Sequence, residues 1–214
     1  MPYTINNAVD YLLKQEFDVH RGNKTPHPVM KKHGIDAVPF DTPNINKWRH
    51  NFTGVQFEHK PTDFLVYGAV DDIWLNPDGS VSVVDYKATG ANQHNIYDSY
   101  RRQMEIYQWL LAQNGLTVSP TGYFVFAKVN KACGFGLPSD VPSKAVATEG
   151  ALGEGRGFGT AALSFDLIIE PLVGDSSWVE GAIKNARKTF DLEKPPAANP
   201  ECEYCIYAKN VGGV

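Results

Sequence analysis

The sequence predicts an α/β protein, and this prediction rests on the order of helical and strand-like segments along the chain. Apolar residues recur at helical spacing near the N-terminus and again over residues 96–114. Residues 54–87 are instead rich in β-branched and aromatic residues, and residues 121–129 and 163–170 have the same strand character. Segments of helix and strand therefore alternate along the chain, which is typical of a sheet covered by helices.

The first 53 residues are predicted to form a helical N-terminal part. Residues 44–52 could hold one or two helical turns, and Pro28 begins a short helical stretch that Gly34 ends. An amphipathic helix is predicted over residues 6–17, where the apolar residues at helical spacing are Ala8, Val9, Leu12, Leu13 and Phe17.

The rest of the chain is predicted to continue as strands and two longer helices. Strands are predicted over residues 54–59, 64–75, 81–87, 121–129 and 163–170. The helix over residues 96–114 has Gly115 at its stop position. Ser177 and Glu180 form a capping-box pattern, so a last helix is predicted from there to about Leu192.

The length of 214 residues favours a single domain. Two segments within it differ in composition from the rest. Residues 131–160 are predicted to be a flexible Gly-rich insertion, and their glycines match neither the dinucleotide nor the phosphate-loop spacing. Residues 195–214 form a tail that contains Pro195, Pro196 and two cysteines.

Composition excludes several classes of protein. A hydrophobic content of 43% with a net charge of −4 excludes a disordered chain. No apolar run approaches the roughly 18 residues of a membrane-spanning helix, so no membrane association is expected. The first residues lack a secretory pattern and the three cysteines are an odd number, so we expect a cytoplasmic protein. The acidic balance argues against binding polyanions over the whole surface, although a local basic groove stays possible.

A hairpin around residues 76–79 is predicted to bring two acidic residues together. The sequence Asn-Pro-Asp-Gly has the residue types of a type I turn followed by a glycine bulge, which pairs position 76 with position 80. In that register Asp71 lies opposite Asp85. Lys87 lies two residues beyond Asp85 and therefore shares its face of the sheet.

Two carboxylates opposite each other on a half-buried face predict a divalent cation between them. Like charges in such a pair are destabilising, and burial increases the cost. Carboxylates are the ligands that Mg²⁺ and Mn²⁺ prefer, so a shared cation would remove the conflict. The alternative is a turn of another length, which would shift the register by one residue and leave Asp85 and Lys87 as an ordinary surface ion pair.

Three motifs in this order resemble the PD-(D/E)XK nuclease superfamily, in particular its RecB-like exonuclease branch, with CRISPR-associated RecB-like exonucleases as near relatives. They are Gly68-x-x-Asp71, Asp85-Tyr86-Lys87 and Gln103-x-x-x-Tyr107. The resemblance implies a restriction-endonuclease-like core, with a central mixed β-sheet flanked by helices. It also implies metal-dependent hydrolysis of phosphodiester bonds.

The resemblance implies a role for each motif residue. Asp71 and Asp85 would be ligands of Mg²⁺ or Mn²⁺, and the backbone carbonyl of Tyr86 would add a further one. Lys87 would orient the attacking water or stabilise the charge of the transition state. Gln103 and Tyr107, on one helical face, would contact the nucleic acid or Lys87; plain core packing is the alternative for this pair.

The branch also carries an acidic or histidine ligand on its first helix. Asp10 stands at that position in a similar context and borders the apolar stripe of the predicted helix. His50 and Glu58 are the alternatives, because they are closer in sequence to the hairpin.

The cysteines depart from the iron–sulfur members of the branch, which use four. Cys202 and Cys205 stand in the tail, and Cys133 stands in the Gly-rich segment without a matching histidine. A cluster or a closed zinc site needs four ligands, so an iron–sulfur cluster is not expected in this chain. Cys202 and Cys205 could bind a metal weakly or across an oligomer, but we expect them to be unliganded.

The sequence therefore predicts an Mg²⁺- or Mn²⁺-dependent nuclease that acts on single- or double-stranded DNA. An exonuclease used in repair, recombination or defence fits the resemblance. The alternatives are a nucleic-acid-binding protein with an inactive site and a structural α/β domain whose hairpin charges are coincidental. The oligomeric state is not predicted.

Overall fold

A computed structural model describes residues 4–93, 95–132 and 163–212. The chain divides into two compact units, which are described separately. The first contains the chain up to Phe57 together with Tyr67–Ser176, and the second contains Glu58–Val66 and the chain from Ser177 onward. The predicted Gly-rich insertion, with Cys133, lies almost entirely outside the described residues.

Six helices and seven strands are present in the described part of the chain. The helices are α1 (Thr4–Asn23), α2 (Pro28–Lys32), α3 (Ile45–Trp48), α4 (Asp98–Gln113), α5 (Val179–Phe190) and α6 (Glu203–Gly212). The strands are β1 (Val38–Pro39), β2 (Val55–His59), β3 (Phe64–Gly68), β4 (Asp72–Leu75), β5 (Val81–Thr89), β6 (Thr121–Val129) and β7 (Phe165–Val173).

A five-stranded sheet in the order β1-β4-β5-β6-β7 forms the centre of the first unit. Strands β5 and β6 are parallel, whereas the other neighbours are antiparallel, so the sheet is mixed. Helix α1 buries Val9, Leu13 and Phe17 against one face, in a cluster with Trp74 and Tyr86. This arrangement confirms the predicted α/β fold with a central mixed sheet.

Helix α4 packs against the opposite face of the sheet. Its Met104 contacts the backbone of Gly122 at the start of β6, where an added Cβ would lie 3.1 Å from the Met104 Cε. Its Tyr100 ring lies 6.1 Å from the ring of Phe124 on the same strand. The sheet is therefore flanked by helices, as a restriction-endonuclease-like core requires.

The hairpin between β4 and β5 has the predicted register. Asp72 lies opposite Val84, and Ile73 lies opposite Val83. The backbone N–H of Asn76 donates to the Ser80 carbonyl at 2.9 Å, which closes the predicted turn. Gly79 has a φ of +83°, the left-handed conformation that its place in the turn demands. Continued by one residue, this register places position 71 opposite position 85.

Several elements differ from the prediction, and for the strands the reason is tertiary pairing rather than local sequence. The strand predicted over residues 64–75 is two strands: β3 pairs with β2 in a separate two-stranded sheet, whereas β4 joins the five-stranded sheet. Strand β1 has two residues, too few to show a period, and exists through its pairing with β4. Helix α1 is longer at both ends than predicted, and α6 lies within the predicted tail.

Candidate active site

A pocket of about 330 Å³ lies beside the C-terminal half of β5. Its walls come from the first turns of α1, the segment after α3, the start of β4, strand β5 and the first turn of α4. The lining residues that carry polar groups are Asn6, Asn7, Asp10, Lys14, Asn51, Asp71, Tyr86, Lys87 and Tyr100. The structure therefore brings residues from five separate parts of the chain to one opening.

Asp71 lines this pocket and lies directly before β4. Its Oδ2 accepts a hydrogen bond from the Tyr86 backbone N–H at 3.0 Å, so the carboxylate lies against β5. Its Oδ1 lies 2.9 Å from the Nζ of Lys14. Its backbone carbonyl accepts a hydrogen bond of 2.8 Å from the Nε of Arg49. Both the side chain and the backbone of Asp71 are thus held in place.

Asp10 on α1 shares the ammonium group of Lys14 with Asp71. The Nζ of Lys14 lies 2.8 Å from Asp10 Oδ2. Burial, and then the charge of Asp71, raise the pKa of Asp10 above its usual range despite this ion pair. Burial by itself would lower the pKa of Lys14, but the two carboxylates outweigh it and raise this pKa. Asp10 and Asp71 are therefore close enough to interact electrostatically.

Asp85 is almost completely buried, with 3% of its surface exposed. Lys87 Nζ lies 2.6 Å from its Oδ2, although this oxygen accepts no hydrogen bond of good geometry from any described residue. Burial, and then the charge of Asp71, raise the pKa of Asp85 to about 7, in spite of Lys87. Tyr100 covers Lys87, with the ammonium 4.7 Å from the ring centre, so this lysine is held at the pocket wall.

Gln103 and Tyr107 on α4 interact with each other beside the same carboxylates. The Nε2 of Gln103 donates a hydrogen bond of 2.8 Å to the Tyr107 hydroxyl. Burial raises the pKa of Tyr107 to about 12, and the charges of Asp85 and Asp71 act in the same direction. The pair is half-buried. The structure thus places both predicted substrate-binding residues near the two carboxylates.

Gly68 of the first motif lies directly against Tyr107 of the α4 motif. A Cβ atom added at Gly68 would lie 2.5 Å from Tyr107 Cε1 and 3.1 Å from Tyr107 Cδ1. The aromatic ring therefore lies directly against the Gly68 backbone, where a larger residue does not fit. This contact fixes the distance between α4 and the segment that carries Asp71.

A buried charge network lies on the other face of the sheet, behind Asp71. Asp72 is fully buried and pairs with the guanidinium groups of Arg21 and Arg49. The Tyr86 hydroxyl donates a hydrogen bond of 2.6 Å to Asp72 Oδ2. Arg49 also bonds both carboxylate oxygens of Asp18 on α1, at 2.9 and 2.8 Å. The Asp72 carboxylate therefore faces away from the pocket that Asp71 lines.

Neither alternative for the first-helix ligand is among the residues that line the pocket. His50 is exposed beside Phe52, and Glu58 belongs to the second compact unit. Among the described residues that line the pocket, Asp10 is the one on α1 with a carboxylate. Cys202 and Cys205, also in the second unit, are half-buried free thiols.

Two features of the structure, Lys14 and the network around Asp72, were not predicted from the sequence. Lys14 follows Asp10 by four residues, which is the spacing of a helical ion pair and was a usable signal. The contact of Lys14 with Asp71, 57 positions away, depends on how α1 packs against the hairpin. The partners of Asp72 come from α1 and from the segment after α3, so local sequence contains no sign of them.

A family model described as the PD-(D/E)XK nuclease superfamily matches residues 5–209. The chain belongs to this superfamily. Membership implies a nuclease fold, and the PD-(D/E)XK nucleases generally use divalent metals. No curated protein matches the chain.

One solved structure similar to this chain is the crystal structure of SSO0001. It is 19% identical, with a TM-score of 0.32 over 70% of this chain and 52% of that chain, so this chain spans about half the length of that protein. In the described part of this PD-(D/E)XK protein, no helix is long and apolar enough to cross a membrane.

The donor set of the pocket fits a divalent cation of the kind that the PD-(D/E)XK nucleases use. Among the described residues, no three His, Cys, Asp or Glu side chains stand close enough together to hold a metal ion by themselves. Asp10 and Asp71 are instead joined through the ammonium of Lys14. The Asp85 Oδ2 is buried without a well-formed hydrogen bond, and carboxylate oxygens are the donors that Mg²⁺ and Mn²⁺ prefer.

Proposed function

We propose that this PD-(D/E)XK protein is an Mg²⁺- or Mn²⁺-dependent nuclease that hydrolyses phosphodiester bonds of DNA, as an exonuclease of the RecB-like type. The observation that carries the proposal is the hairpin register. Continued by one residue beyond the Asp72–Val84 pair, this register supports a pairing of position 71 with position 85. Lys87 Nζ lies 2.6 Å from Asp85 Oδ2 beside an open polar pocket. Burial, and then the charge of Asp71, raises the pKa of Asp85, and the contribution of Asp71 supports the proximity of the two carboxyl groups.

Asp71 and Asp85 would hold the cation, together with Asp10 and the backbone carbonyl of Tyr86. A metal bound there would neutralise charge on the phosphate and lower the pKa of a bound water. Lys87 would stabilise the charge that develops on the scissile phosphate, since Tyr100 and Asp85 hold its ammonium at the pocket wall. Gln103 and Tyr107 would contact the nucleic acid or Lys87.

Recognition of DNA would be local, because the chain as a whole carries a net charge of −4. The pocket combines the ammonium of Lys87 with the side-chain amides of Asn6, Asn7 and Asn51. Phosphate oxygens accept hydrogen bonds from such groups without reference to base sequence. This set of donors supports binding of the DNA backbone.

Cleavage of end-labelled DNA tests the proposal. Single- and double-stranded substrates are incubated with protein in Mg²⁺, in Mn²⁺ and in chelator, and a covalently closed circle separates internal cleavage from cleavage at ends. We expect cleavage with either metal and none with chelator.

Asp85→Ala and Lys87→Ala should abolish cleavage, whereas their melting temperatures should shift by only a few degrees. Lys32→Ala, an exposed lysine on α2, should cleave like the wild type. Full activity of Asp85→Ala or Lys87→Ala would refute the proposal.

A second candidate is a nucleic-acid-binding protein without activity. The position of Lys14 between Asp10 and Asp71 favours it, since an ammonium stands where the carboxylates would share a metal. This candidate predicts DNA binding with no cleavage in any divalent metal.

A further inference from the structure

Lys14 is the residue of the pocket for which the proposed chemistry has no role. Its ammonium lies 2.8 Å from Asp10 Oδ2 and 2.9 Å from Asp71 Oδ1. Its side chain is 19% exposed, so it lies within the pocket and not on the open surface. A surface lysine would normally bind one carboxylate weakly, whereas this one joins two.

Two independent features of the fold create this arrangement. Asp10 and Lys14 are one helical turn apart, so α1 places both side chains on the same face. Asp71 reaches the same point from the start of β4, where Arg49 and the Tyr86 N–H hold it. Without Lys14, Asp10 and Asp71 would face each other at short range with no shared positive charge.

We propose that Lys14 is an internal counter-ion that competes with the divalent metal for Asp10 and Asp71. This inference rests on the proposed metal-dependent function. In the metal-free protein Lys14 keeps the two carboxylates together and in position. Metal loading requires its ammonium to leave, so Lys14 weakens metal affinity and sets the metal concentration at which the site fills.

The pocket leaves room for this exchange. The lysine side chain is a flexible chain of four carbons, which can withdraw its ammonium without a change in α1. The side-chain amides of Asn6 and Asn7 line the same pocket in the preceding turns of α1 and offer oxygens that can accept it. Lys14 is therefore a positioning residue that acts through the carboxylates.

Titration of the protein with Mn²⁺ tests the competition directly. Lys14→Met removes the charge and keeps much of the length of the side chain, and Lys14→Gln is a second neutral variant in case the first fails to fold. We expect both to bind Mn²⁺ at least about fivefold more tightly than the wild type by calorimetry. Lys14→Arg, which keeps the charge, should stay within about twofold of it. Lys24→Met removes an exposed lysine just after α1 and is the matched control.

Thermal melting gives a second measurement that does not depend on activity. In chelator, Lys14→Met should melt below the wild type, because Asp10 and Asp71 lose their shared cation. Addition of Mn²⁺ should then raise its melting temperature by more than it raises that of the wild type.

The outcomes separate this inference from the proposed function. If the neutral variants bind Mn²⁺ with the affinity of the wild type or more weakly, the competition is refuted and the nuclease proposal stands. If neither the wild type nor the neutral variants bind Mn²⁺, both proposals fail. If the neutral variants alone bind it, the competition is supported in its strongest form.

Discussion

Asp85 shows how a single residue can be unfavourable for folding and suited to a metal site. Its carboxyl group is buried beside a second aspartate, and its pKa is raised to about 7. A carboxyl group with a raised pKa stabilises the fold fully at pH values below its unfolded pKa. That contribution is lost as the pH rises through about 7, because the native state must then hold a buried charge.

The first prediction concerns Asp85→Asn in the absence of metal. The amide cannot ionise, so the free energy of unfolding of this variant should rise relative to the wild type as the pH increases from 4 to 8. The gain at pH 8 should be on the order of a few kcal/mol. Urea unfolding in chelator at several pH values measures it, with the exposed Asp98→Asn as control. A difference that does not change with pH would contradict the prediction.

The second prediction concerns Gly68. Gly68→Ala places a methyl group 2.5 Å from Tyr107 Cε1, so the ring or the backbone must move. We expect a loss of about 1–3 kcal/mol of stability and a lower rate of cleavage, since the same segment carries Asp71. Gly90→Ala is the matched control, because nothing lies within 4 Å of a Cβ atom at that position.

A rescue variant makes the Gly68 prediction specific. If the clash with the ring causes the loss, Tyr107→Leu should relieve it. The double variant Gly68→Ala/Tyr107→Leu should then lose less stability than the sum of the losses in the two single variants. Strict additivity of the two changes would show that the ring is not the obstacle.

At the scale of elements, the network around Asp72 joins α1 and the segment after α3 to the β4–β5 hairpin. Arg21 comes from α1, Arg49 follows α3, and Tyr86 lies on β5, and all three contact the Asp72 carboxylate. Arg49 also holds the Asp71 carbonyl. The network therefore links the position of α1 to that of β4 and of Asp71, the pocket residue directly before this strand.

The third prediction is that Asp72→Asn is strongly destabilising. It leaves two buried guanidinium groups without their shared anion, and removal of one partner from a buried ion pair typically costs about 3–5 kcal/mol. Asp18→Asn should cost less, because the Asp18 side chain is 41% exposed and water can replace its interactions. Urea unfolding of the two variants compares them. An equal or smaller loss for Asp72→Asn would show that the network does not hold these elements together.

At the scale of the whole molecule, the acidic chain is expected to bind DNA poorly without a divalent metal. The net charge is −4, and three of the carboxylates lie in or next to the pocket. A bound divalent cation reverses the sign of the local field.

The fourth prediction is that Ca²⁺ strengthens DNA binding by at least about tenfold over chelator at the same ionic strength. Fluorescence anisotropy with a short labelled oligonucleotide measures the two affinities. Asp71→Asn should lose most of the Ca²⁺ effect, whereas Asp98→Asn should keep it. Equal affinity of the wild type in Ca²⁺ and in chelator would contradict a metal-assisted mode of binding.

Local sequence was sufficient to predict the β4–β5 hairpin, because the turn and the alternation of side chains along the strands determine its register. Residues 76–79 define the loop, and the side-chain period of two then carries the pairing to positions 71 and 85. The same reasoning could not divide residues 64–75 into β3 and β4, since both parts have strand composition and the difference lies in their partners.

By itself, the sequence determined the α/β class, the register of the β4–β5 hairpin and the expectation that Asp71, Asp85 and Lys87 share one face of the sheet. These follow from turn chemistry and periodicity, which act between residues close along the chain. Only the tertiary structure decided that Lys14 lies between Asp10 and Asp71, that Asp72 binds two arginines, and that Tyr107 lies against Gly68. Each of these contacts joins elements far apart in sequence, and its geometry is set by how α1 and α4 pack on the sheet.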